Sequence, residues 1–215
     1  MRQKDIWDNL YSSSPHVAIS TEWIKKFDNY FCEMKNYTII DLGCGRGDNA
    51  HYLKESGYNV IACDFSQEAI SYINNTHPTI ETRCFDMINE FPHDFKNIGV
   101  VFASLSTHYF SLKDTIKLYD NICDMLEPNG YFIFRVNSKE ELEKKNKSSV
   151  ESIIEDDYYL LNDGNTKRFF DIESMSKLLN RFTIVDIQES KFEYRGQMKY
   201  YVEGICSKTK LPASP

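Results

Sequence analysis

Apolar runs bounded by polar or turn-forming residues alternate with amphipathic stretches along most of the chain. The apolar runs predict strands over 38–42, 59–63, 80–85, 98–103, 131–136, 182–187 and 197–206. The amphipathic stretches predict helices over 21–33, 48–56, 112–126 and 172–179, and a further helix capped by Ser66. Strands that are apolar on both faces are typical of a parallel sheet covered by helices. The pattern therefore predicts an α/β domain.

A glycine-rich turn follows the first predicted strand, with glycines at 43, 45 and 47. Glycine permits a sharp backbone turn and lets a ligand lie against the main chain. A dinucleotide fingerprint would place its third glycine at position 48, where this chain has Asp48, and a carboxylate there would repel a diphosphate. Asp41, two residues before the first glycine, is instead suited to pair with an ammonium group.

The segment Asp41-Leu42-Gly43-Cys44-Gly45-Arg46-Gly47 resembles motif I of the class I S-adenosylmethionine-dependent methyltransferases. The next predicted strand ends at Asp64, about 20 residues after the first glycine, where a carboxylate can accept both hydroxyls of a ribose. The resemblance covers residues 37–136 in detail. Further on, Leu126-Glu127-Pro128-Asn129-Gly130 resembles the family's L-x-P-G-G segment, and Asn129 tolerates the left-handed conformation that the replaced glycine would adopt.

This resemblance implies a Rossmann-like, doubly wound sheet of seven mostly parallel strands that ends in an antiparallel hairpin, with helices on both faces. It implies S-adenosyl-L-methionine as cofactor and S-adenosyl-L-homocysteine as product. Asp86 and Met87 would contact the adenine, although Asp86 could instead cap the next turn. The cofactor-binding residues predicted in this way are Tyr11, Asp41, Gly43, Cys44, Gly45, Asp64, Phe65, Asp86, Met87, Ser104 and Leu105.

Aromatic residues precede the first clear amphipathic helix, at Trp7 and Tyr11. They could form a lid over a bound ligand, as a W-x-x-x-Y segment often does in the family that the chain resembles. Alternatively, Ile6, Trp7 and Leu10 could form a short amphipathic helix on the sheet edge. The two interpretations weigh equally for Trp7, and the ligand role is favoured for Tyr11.

The segment after the fourth predicted strand should face the transferred methyl group, because ligands of open parallel sheets lie beyond the carboxyl ends of the strands. His108 is the candidate general base and Tyr109 a candidate aromatic wall beside the sulfonium. His108 could equally be a hydrogen-bonded histidine of the turn. The sequence Ala103-Ser104-Leu105-Ser106 lacks the Asn/Asp-Pro-Pro-Tyr box of enzymes that methylate amide or exocyclic nitrogens, which disfavours that chemistry.

Substrate contacts are predicted at Arg135, at the end of the fifth strand, and at Tyr158 and Arg168. The last two flank or lie near 151–164, the least regular stretch of the sequence, where the family commonly builds specificity. Acidic residues beside tyrosines would suit a cationic substrate, whereas the pair Lys167-Arg168 would suit an anionic one. Substrate charge therefore stays open.

The formal net charge of −7 and the lack of a dense basic face argue against nucleic-acid binding. The six cysteines show no metal-binding spacing, so no metal is expected. Without a signal peptide or an apolar run long enough to span a membrane, a cytoplasmic location is expected. The 215 residues fit a single methyltransferase-like domain, divided into an N-terminal lid and helix region (1–36), a cofactor-binding core (37–136), a substrate-side insertion (137–170) and a C-terminal helix and hairpin (171–208). Residues 211–215 should be disordered.

These observations predict a cytoplasmic methyltransferase that uses S-adenosylmethionine and acts on a small molecule by in-line displacement. Its general layout resembles the branch of the family that includes the tellurite-resistance and thiopurine methyltransferases. Two alternatives remain: a nicotinamide-dependent oxidoreductase on a similar fold, and a non-catalytic cofactor-binding or scaffold protein.

Overall fold

A computed structural model describes residues 3–18, 20–194 and 196–208. Its helices are α1 (Gln3–Ser13), α2 (Glu22–Lys25), α3 (Asp28–Glu33), α4 (Asp48–Glu55), α5 (Gln67–Thr76), α6 (Leu112–Met125), α7 (Lys139–Glu141) and α8 (Ile172–Leu178). A π-helical turn (Leu142–Asn146) and a 3-10 turn (Lys147–Ser149) follow α7. The strands are β1 (Thr38–Leu42), β2 (Asn59–Asp64), β3 (Glu81–Cys84), β4 (Ile98–Ser104), β5 (Leu126–Asn137), β6 (Val150–Glu155), β7 (Tyr158–Leu161), β8 (Thr166–Arg168), β9 (Phe182–Tyr194) and β10 (Gln197–Lys208).

Seven strands form the main sheet in the order β3-β2-β1-β4-β5-β10-β9. The first five run parallel, and β10 is antiparallel to both of its neighbours. The chain order reverses between β1 and β4, which are adjacent in the sheet although β2 and β3 lie between them in sequence. This confirms the predicted doubly wound sheet with an antiparallel C-terminal hairpin, and it places the ligand crevice beyond the ends of β1 and β4.

The central strands are buried on both faces, which is why their sequences are continuously apolar. Successive side chains alternate between two hydrophobic clusters. Ile40 and Val101 pack on one face with α6 and α8, while Ile39 and Val100 pack on the other face with α3 and α4. The core therefore holds the carboxyl ends of β1, β2, β4 and β5 in fixed register, and the polar side chains at those ends are placed by the sheet itself.

Three predicted segments differ from the structure. The helix expected over 21–33 is two short helices, because the chain turns at Lys26 and Phe27, where Phe27 (φ −105°, ψ 9°) precedes α3. The segment 3–13, placed before the first clear helix, is helix α1. The stretch 151–164 is not irregular: it contributes β6 and β7 to a separate antiparallel sheet in the order β6-β7-β8. The expected disorder at 211–215 falls outside the described residues.

Candidate active site at the carboxyl ends of the strands

The turn after β1 needs glycine for two separate reasons. Gly43, Gly45 and Gly47 all have positive φ angles, of 75°, 55° and 83°. In addition, a Cβ atom on Gly43 would lie 2.2 Å from the Cβ of Ser106, and one on Gly45 would lie 2.9 Å from the hydroxyl of Tyr11. Backbone amides of Gly43 and Cys44 both donate to the carbonyl of Cys63, which ties the turn to β2. The result is a narrow bend without side chains at the switch point of the sheet.

Asp41 lies at the end of β1 beneath this turn and is almost completely buried. The backbone amide of Ala50, in α4, donates to its carboxylate, but its Oδ2 atom has no hydrogen-bond partner among the described residues. Burial, helped by the nearby charge of Asp64, raises the pKa of Asp41 to about 7. A buried carboxylate oxygen without a partner is costly, so this atom is suited to a cationic ligand group.

Asp64, at the end of β2, faces the same turn. Its Oδ2 accepts a hydrogen bond from the amide of Gly45 at 2.9 Å, and its Oδ1 accepts one from the amide of Ser66 at 2.9 Å. Burial raises the pKa of Asp64, and these backbone donors oppose the rise. Each carboxylate oxygen can accept more than one hydrogen bond, so both retain capacity for a hydroxyl donor.

Helix α1 covers the glycine turn. The ring of Tyr11 stacks on Trp7 with centroids 5.7 Å apart, and Trp7 meets Tyr109 edge-on at 5.6 Å. Arg46 donates from Nη2 to the carbonyls of Tyr11 and Ser14, and thereby fastens the end of α1 to the turn. The segment is therefore a helix whose residue Tyr11 lies over the bend, and a role of Tyr11 in covering a ligand stays a prediction. Burial also raises the pKa of Tyr11, so its phenol stays neutral.

The residues predicted at the adenine end have structural roles of their own. Asp86 accepts from the amides of Ile88 and Asn89, and from the Asn89 side chain, so it caps the turn that follows β3. Met87 is buried in the core cluster with Phe85. Phe65 is half-buried directly after β2, and its carbonyl accepts a weak hydrogen bond from the thiol of Cys84. The carboxylate of Asp86 can accept further hydrogen bonds, whereas the side chain of Met87 is packed in the hydrophobic core.

The segment after β4 turns sharply into the crevice. Leu105 adopts a left-handed conformation (φ 58°), and its amide donates to the carbonyl of Arg135. Such strain in a non-glycine residue costs on the order of 1–3 kcal/mol and is concentrated at functional sites. The Oγ atom of Ser106 donates to the carbonyl of Leu42, so the end of β4 is joined to the glycine turn. Ser104 and Leu105 therefore lie at the carboxyl end of β4, next to the glycine turn.

His108 is buried in this segment, and its Nδ1 atom has no partner among the described residues. Burial, with Lys167 nearby, holds the pKa of His108 well below its usual value, so the imidazole is neutral at physiological pH. Its ring lies 4.2 Å from that of Tyr109. Burial raises the pKa of Tyr109, whose phenol is therefore neutral as well. His108 can therefore accept a proton, but its lowered pKa makes it a weak base, and its role as general base stays a prediction.

A cavity of about 410 Å³ opens beside these residues, between the ends of β4 and β5, helix α2 and the β9–β10 hairpin. This volume lies within the usual range for small-ligand sites. Arg135 forms part of its wall: the guanidinium lies between the rings of Trp23, at 4.3 Å, and Tyr201, at 4.9 Å, and donates to Ser104 Oγ at 3.2 Å. Leu105, His108 and Tyr109 line the cavity as well, so it adjoins the predicted position of the methyl group.

Tyr158 and Arg168, predicted to bind substrate, do not line this cavity. The hydroxyl of Tyr158 contacts the carbonyl of Tyr109 and the hydroxyl of Thr166. Arg168 donates to the carbonyls of Phe110 and Asp156 and forms an ion pair with Glu155. These bonds fix the small sheet against the segment after β4. Arg168 instead lies at a second cavity, of about 630 Å³, between α6, α8 and the small sheet.

Sequence reasoning missed most of the charged residues of the 410 Å³ cavity. Lys26, Lys167, Lys191 and Lys199 line it, together with Glu22, Glu141 and Glu203. They lie on or next to α2, α7, β8, β9 and β10, and they belong to no common sequence motif. One signal was available at Lys167, which stands beside Arg168 in the basic pair noted from the sequence.

Comparison with known proteins agrees with this geometry. A family profile described as "Methyltransferase domain" matches residues 39–130. The tRNA N(3)-methylcytidine methyltransferase trm141 of Schizosaccharomyces pombe is 25% identical over 189 residues, which cover 81% of this chain and 76% of that protein. The chain spans only 61% of the tRNA N(3)-cytidine methyltransferase METTL2 of Gallus gallus, to which it is 23% identical.

Two further comparisons bear on the fold and on the branch of the family. A crystal structure of an S-adenosylmethionine-dependent methyltransferase from Methanosarcina mazei matches with a TM-score of 0.74 at 18% identity, over 90% of this chain and 99% of that one. The probable S-adenosylmethionine-dependent methyltransferase TehB of Haemophilus influenzae is 27% identical over 125 residues, which cover 46% of this chain and 43% of that protein. Residues 39–130 therefore match a methyltransferase domain, and the chain has the fold of S-adenosylmethionine-dependent methyltransferases, which implies S-adenosylmethionine as cofactor.

The residues present fit this cofactor. Asp41 Oδ2 offers a buried acceptor for its ammonium group, while the space that a Cβ would fill at Gly43 and Gly45 is occupied by the side chains of Ser106 and Tyr11. Asp64 can accept from ribose hydroxyls. Within the described ranges, no group of three or more His, Cys, Asp or Glu side chains could hold a metal ion. No helix among the described residues is long and apolar enough to cross a membrane.

Proposed function

We propose that this protein transfers the methyl group of S-adenosylmethionine to a small molecule bound in the 410 Å³ cavity. The observation that carries this proposal is the position of the cavity: Leu105, His108 and Tyr109 line it, and Ser106 of the same segment lies against Gly43 of the turn, so an acceptor there would lie beside the turn and could meet the methyl group from the side opposite the cofactor. An in-line displacement requires this arrangement. Cofactor activation is intrinsic to the sulfonium, so positioning is the main task of the protein, and it can lower a barrier by up to ~7 to 11 kcal/mol.

Individual residues have proposed roles in this reaction. Asp41 would bind the ammonium group of the methionine portion, with Gly43, Cys44 and Gly45 forming the bend beneath it. Asp64 would accept from the ribose hydroxyls, and Phe65 and Asp86 would border the adenine. Tyr11 would cover the cofactor from α1. When the acceptor atom carries a proton, neutral His108 would remove it, and Tyr109 would supply an aromatic wall beside the sulfonium.

The cofactor site is tested by the substitution Asp64→Ala, with Asp94→Ala as a matched control in an exposed position. Isothermal titration should show S-adenosylhomocysteine binding to the wild type and to Asp94→Ala, and no measurable binding to Asp64→Ala. Because Asp64 also accepts from Gly45 and Ser66, thermal unfolding must show that the variant is still folded. If folded Asp64→Ala binds the ligand as tightly as the wild type, the assigned ribose site is wrong.

The same titration separates the alternatives. A nicotinamide-dependent oxidoreductase would bind NADH in preference to S-adenosylhomocysteine. A non-catalytic binding protein would bind S-adenosylhomocysteine but would release no methylated product from cofactor and cell extract. We expect binding of S-adenosylhomocysteine, no binding of NADH, and product formation.

A second candidate acceptor is tRNA, which is favoured by the names of the yeast and chicken relatives. The net charge of −7 and the 410 Å³ volume of the cavity favour a small molecule instead. The two are distinguished by incubating the protein and methyl-labelled cofactor with two fractions of a cell extract, one below about 3 kDa and one of purified tRNA. Label in the small-molecule fraction supports the proposal, and label confined to tRNA overturns it. The similarity to TehB agrees with the tellurite-resistance branch.

A further inference from the structure

The wall of the 410 Å³ cavity carries more positive than negative side chains. Five cationic residues line it, at positions 26, 135, 167, 191 and 199, against the three acids Glu22, Glu141 and Glu203. This excess contrasts with the net charge of −7 of the whole chain. A positive concave surface on an acidic protein is a local feature, and such a surface raises the local concentration of anions.

Each of the three acids already has a lysine as partner. Glu203, almost completely buried, pairs with Lys26 at 3.0 Å and also accepts from Gln188. The buried Glu141 pairs with Lys199 at 3.0 Å. Glu22 pairs with Lys25, one residue before Lys26, at 2.6 Å. The carboxylates of the cavity wall are therefore engaged by cations of their own.

The other three cations of the cavity wall are Arg135, Lys167 and Lys191. Among the described residues, none of these three side chains has a carboxylate within 4.0 Å. Arg135 is also the most deeply buried of the three: it is 8% exposed. Its Nε atom has no hydrogen-bond partner in the described part of the chain. Its cross-strand neighbour is Glu203, the very acid that Lys26 engages.

Buried charges in proteins are ordinarily paired or hydrogen-bonded, because burial without a partner is expensive. The two aromatic rings that enclose the guanidinium of Arg135 fix its plane, and the nearby acid Glu203 is already paired with Lys26. Burial lowers the pKa of both Arg135 and Lys167, and nearby acids, Glu203 for Arg135 and Asp163 and Glu141 for Lys167, oppose this fall. A planar guanidinium held in this way is preorganised for a carboxylate or a phosphate.

We propose that the acceptor is a small oxyanion, a carboxylate or a phosphate ester, whose charged group binds Arg135 with Lys167 and Lys191 around it. This inference rests on the proposed methyltransferase function and specifies its substrate class. Arg135 lies directly beside Ser104 in the paired strands β4 and β5, one strand spacing of about 4.8 Å apart. The charged group and the accepting atom of the substrate are therefore only a few bonds apart, and the substrate is compact.

The test uses benzoate and phenyl phosphate as anionic probes and benzamide as the neutral control of similar shape. Each is titrated calorimetrically into the full chain, with and without saturating S-adenosylhomocysteine, at low and at physiological salt. Three variants are compared: Arg135→Gln, Lys167→Gln as a second substitution that does not disturb the stacked guanidinium, and Lys177→Gln on α8 as a matched loss of charge at an exposed site.

At least one anionic probe should bind about ten- to a hundredfold more tightly than benzamide, and the preferred probe identifies the carboxylate or the phosphate. Arg135→Gln and Lys167→Gln should each weaken that probe, Arg135→Gln by tenfold or more, while Lys177→Gln leaves it unchanged. Equal binding of benzamide and the anions, or equal losses in Lys167→Gln and Lys177→Gln, would overturn the inference. Arg135-dependent binding of purified tRNA that exceeds that of both probes would overturn the small-acceptor assignment.

The two proposals can fail separately. If the wild type does not bind S-adenosylhomocysteine, the proposed methyltransferase function fails, and the titrations without cofactor still decide whether the cavity selects oxyanions. If the cofactor binds and the anionic probes show no preference, the substrate class fails and the methyltransferase assignment stands.

Discussion

Replacement of Asp41 by asparagine should stabilise the cofactor-free protein and weaken cofactor binding at the same time. In the cofactor-free protein, Asp41 is buried, accepts from the amide of Ala50 and leaves Oδ2 without a partner among the described residues. Burial, with the charge of Asp64, raises its pKa from 3.8 to about 7. Above pH 7 the folded protein must therefore hold an ionised carboxylate in a place that opposes ionisation.

The size and sign of this effect follow from proton linkage. A difference of about 3 pKa units corresponds to about 4 kcal/mol, which the folded state loses as the pH rises from about 4 to about 7. Asparagine can keep the bond from Ala50 and carries no charge, but its amide Nδ2 has no acceptor there, at a cost of about 1–3 kcal/mol. At pH 8 the variant should therefore be more stable than the wild type by roughly 1–3 kcal/mol, or by roughly 5 °C in Tm.

The assay is thermal unfolding of the cofactor-free wild type, Asp41→Asn and the exposed control Asp94→Asn between about pH 5.5 and pH 8.5. The difference between Asp41→Asn and the wild type should widen by about 2 kcal/mol between pH 5.5 and pH 7 and stay constant above pH 7. Asp94→Asn should show no such widening, since Asp94 is exposed. A difference that does not change with pH would refute the reasoning.

Cofactor affinity should change in the opposite direction. The ammonium group requires ionised Asp41, so S-adenosylhomocysteine should bind the wild type less tightly below pH 7, by up to tenfold per pH unit. Asp41→Asn should bind it at least tenfold more weakly at pH 8, because a charge-assisted hydrogen bond is lost. Unchanged affinity in the variant would show that Asp41 does not contact the cofactor.

Two further substitutions distinguish structural from chemical roles. Arg168→Met should lower Tm by roughly 5–10 °C, because a buried cation that joins the small sheet to Phe110 is lost. The affinity for S-adenosylhomocysteine, measured by calorimetry, should stay within about twofold of the wild type. Unchanged stability with impaired acceptor binding would instead support the substrate role predicted from the sequence. His108→Gln should lower the initial rate of label transfer about a hundredfold or more if proton removal is part of the step, with cofactor affinity unchanged; an unchanged rate would exclude His108 as the base.

The cofactor half of the site could be predicted because its signals are local. The bend after β1 requires positive φ angles at closely spaced positions, and only glycine supplies them without strain. The acids at 41 and 64 end apolar strands, so their place at the sheet edge follows from the strand assignments alone. The same reasoning succeeded at Asn129, which adopts φ 65° where the family pattern has glycine.

The small sheet was missed although its turn is visible in the sequence. Strands β6 and β7 are separated by only Asp156 and Asp157, and Asp157 adopts a left-handed φ of 61°. Acidic residues favour such two-residue hairpin turns, but acids beside tyrosines equally suit a loop that binds a cationic substrate. Because the hairpin folds against Phe110 through Arg168, its polar groups are used in that contact. Their assignment to the substrate therefore could not follow from the sequence alone.

The acceptor half depends on residues that meet only in the folded chain. Lys26 and Glu203 are 177 positions apart, and their pairing is what leaves Arg135 without a carboxylate. A charge imbalance of this kind is a property of the tertiary structure. The imbalance becomes visible only when the ion-pair partner of each acid in the cavity wall is known.

The two halves of the site carry opposite charge, and this has a consequence for the proposed reaction. Asp41 and Asp64 lie on the cofactor side, whereas Arg135 and Lys167 lie on the acceptor side. S-adenosylmethionine brings a cationic sulfonium and an ammonium group to the acids, and an oxyanion would bring the complementary charge to the other side. The anion and the sulfonium would then attract each other across the transferred methyl group. Transfer neutralises the sulfonium, so this attraction disappears with the reaction, and the same electrostatics that assemble the two substrates favour the separation of the products.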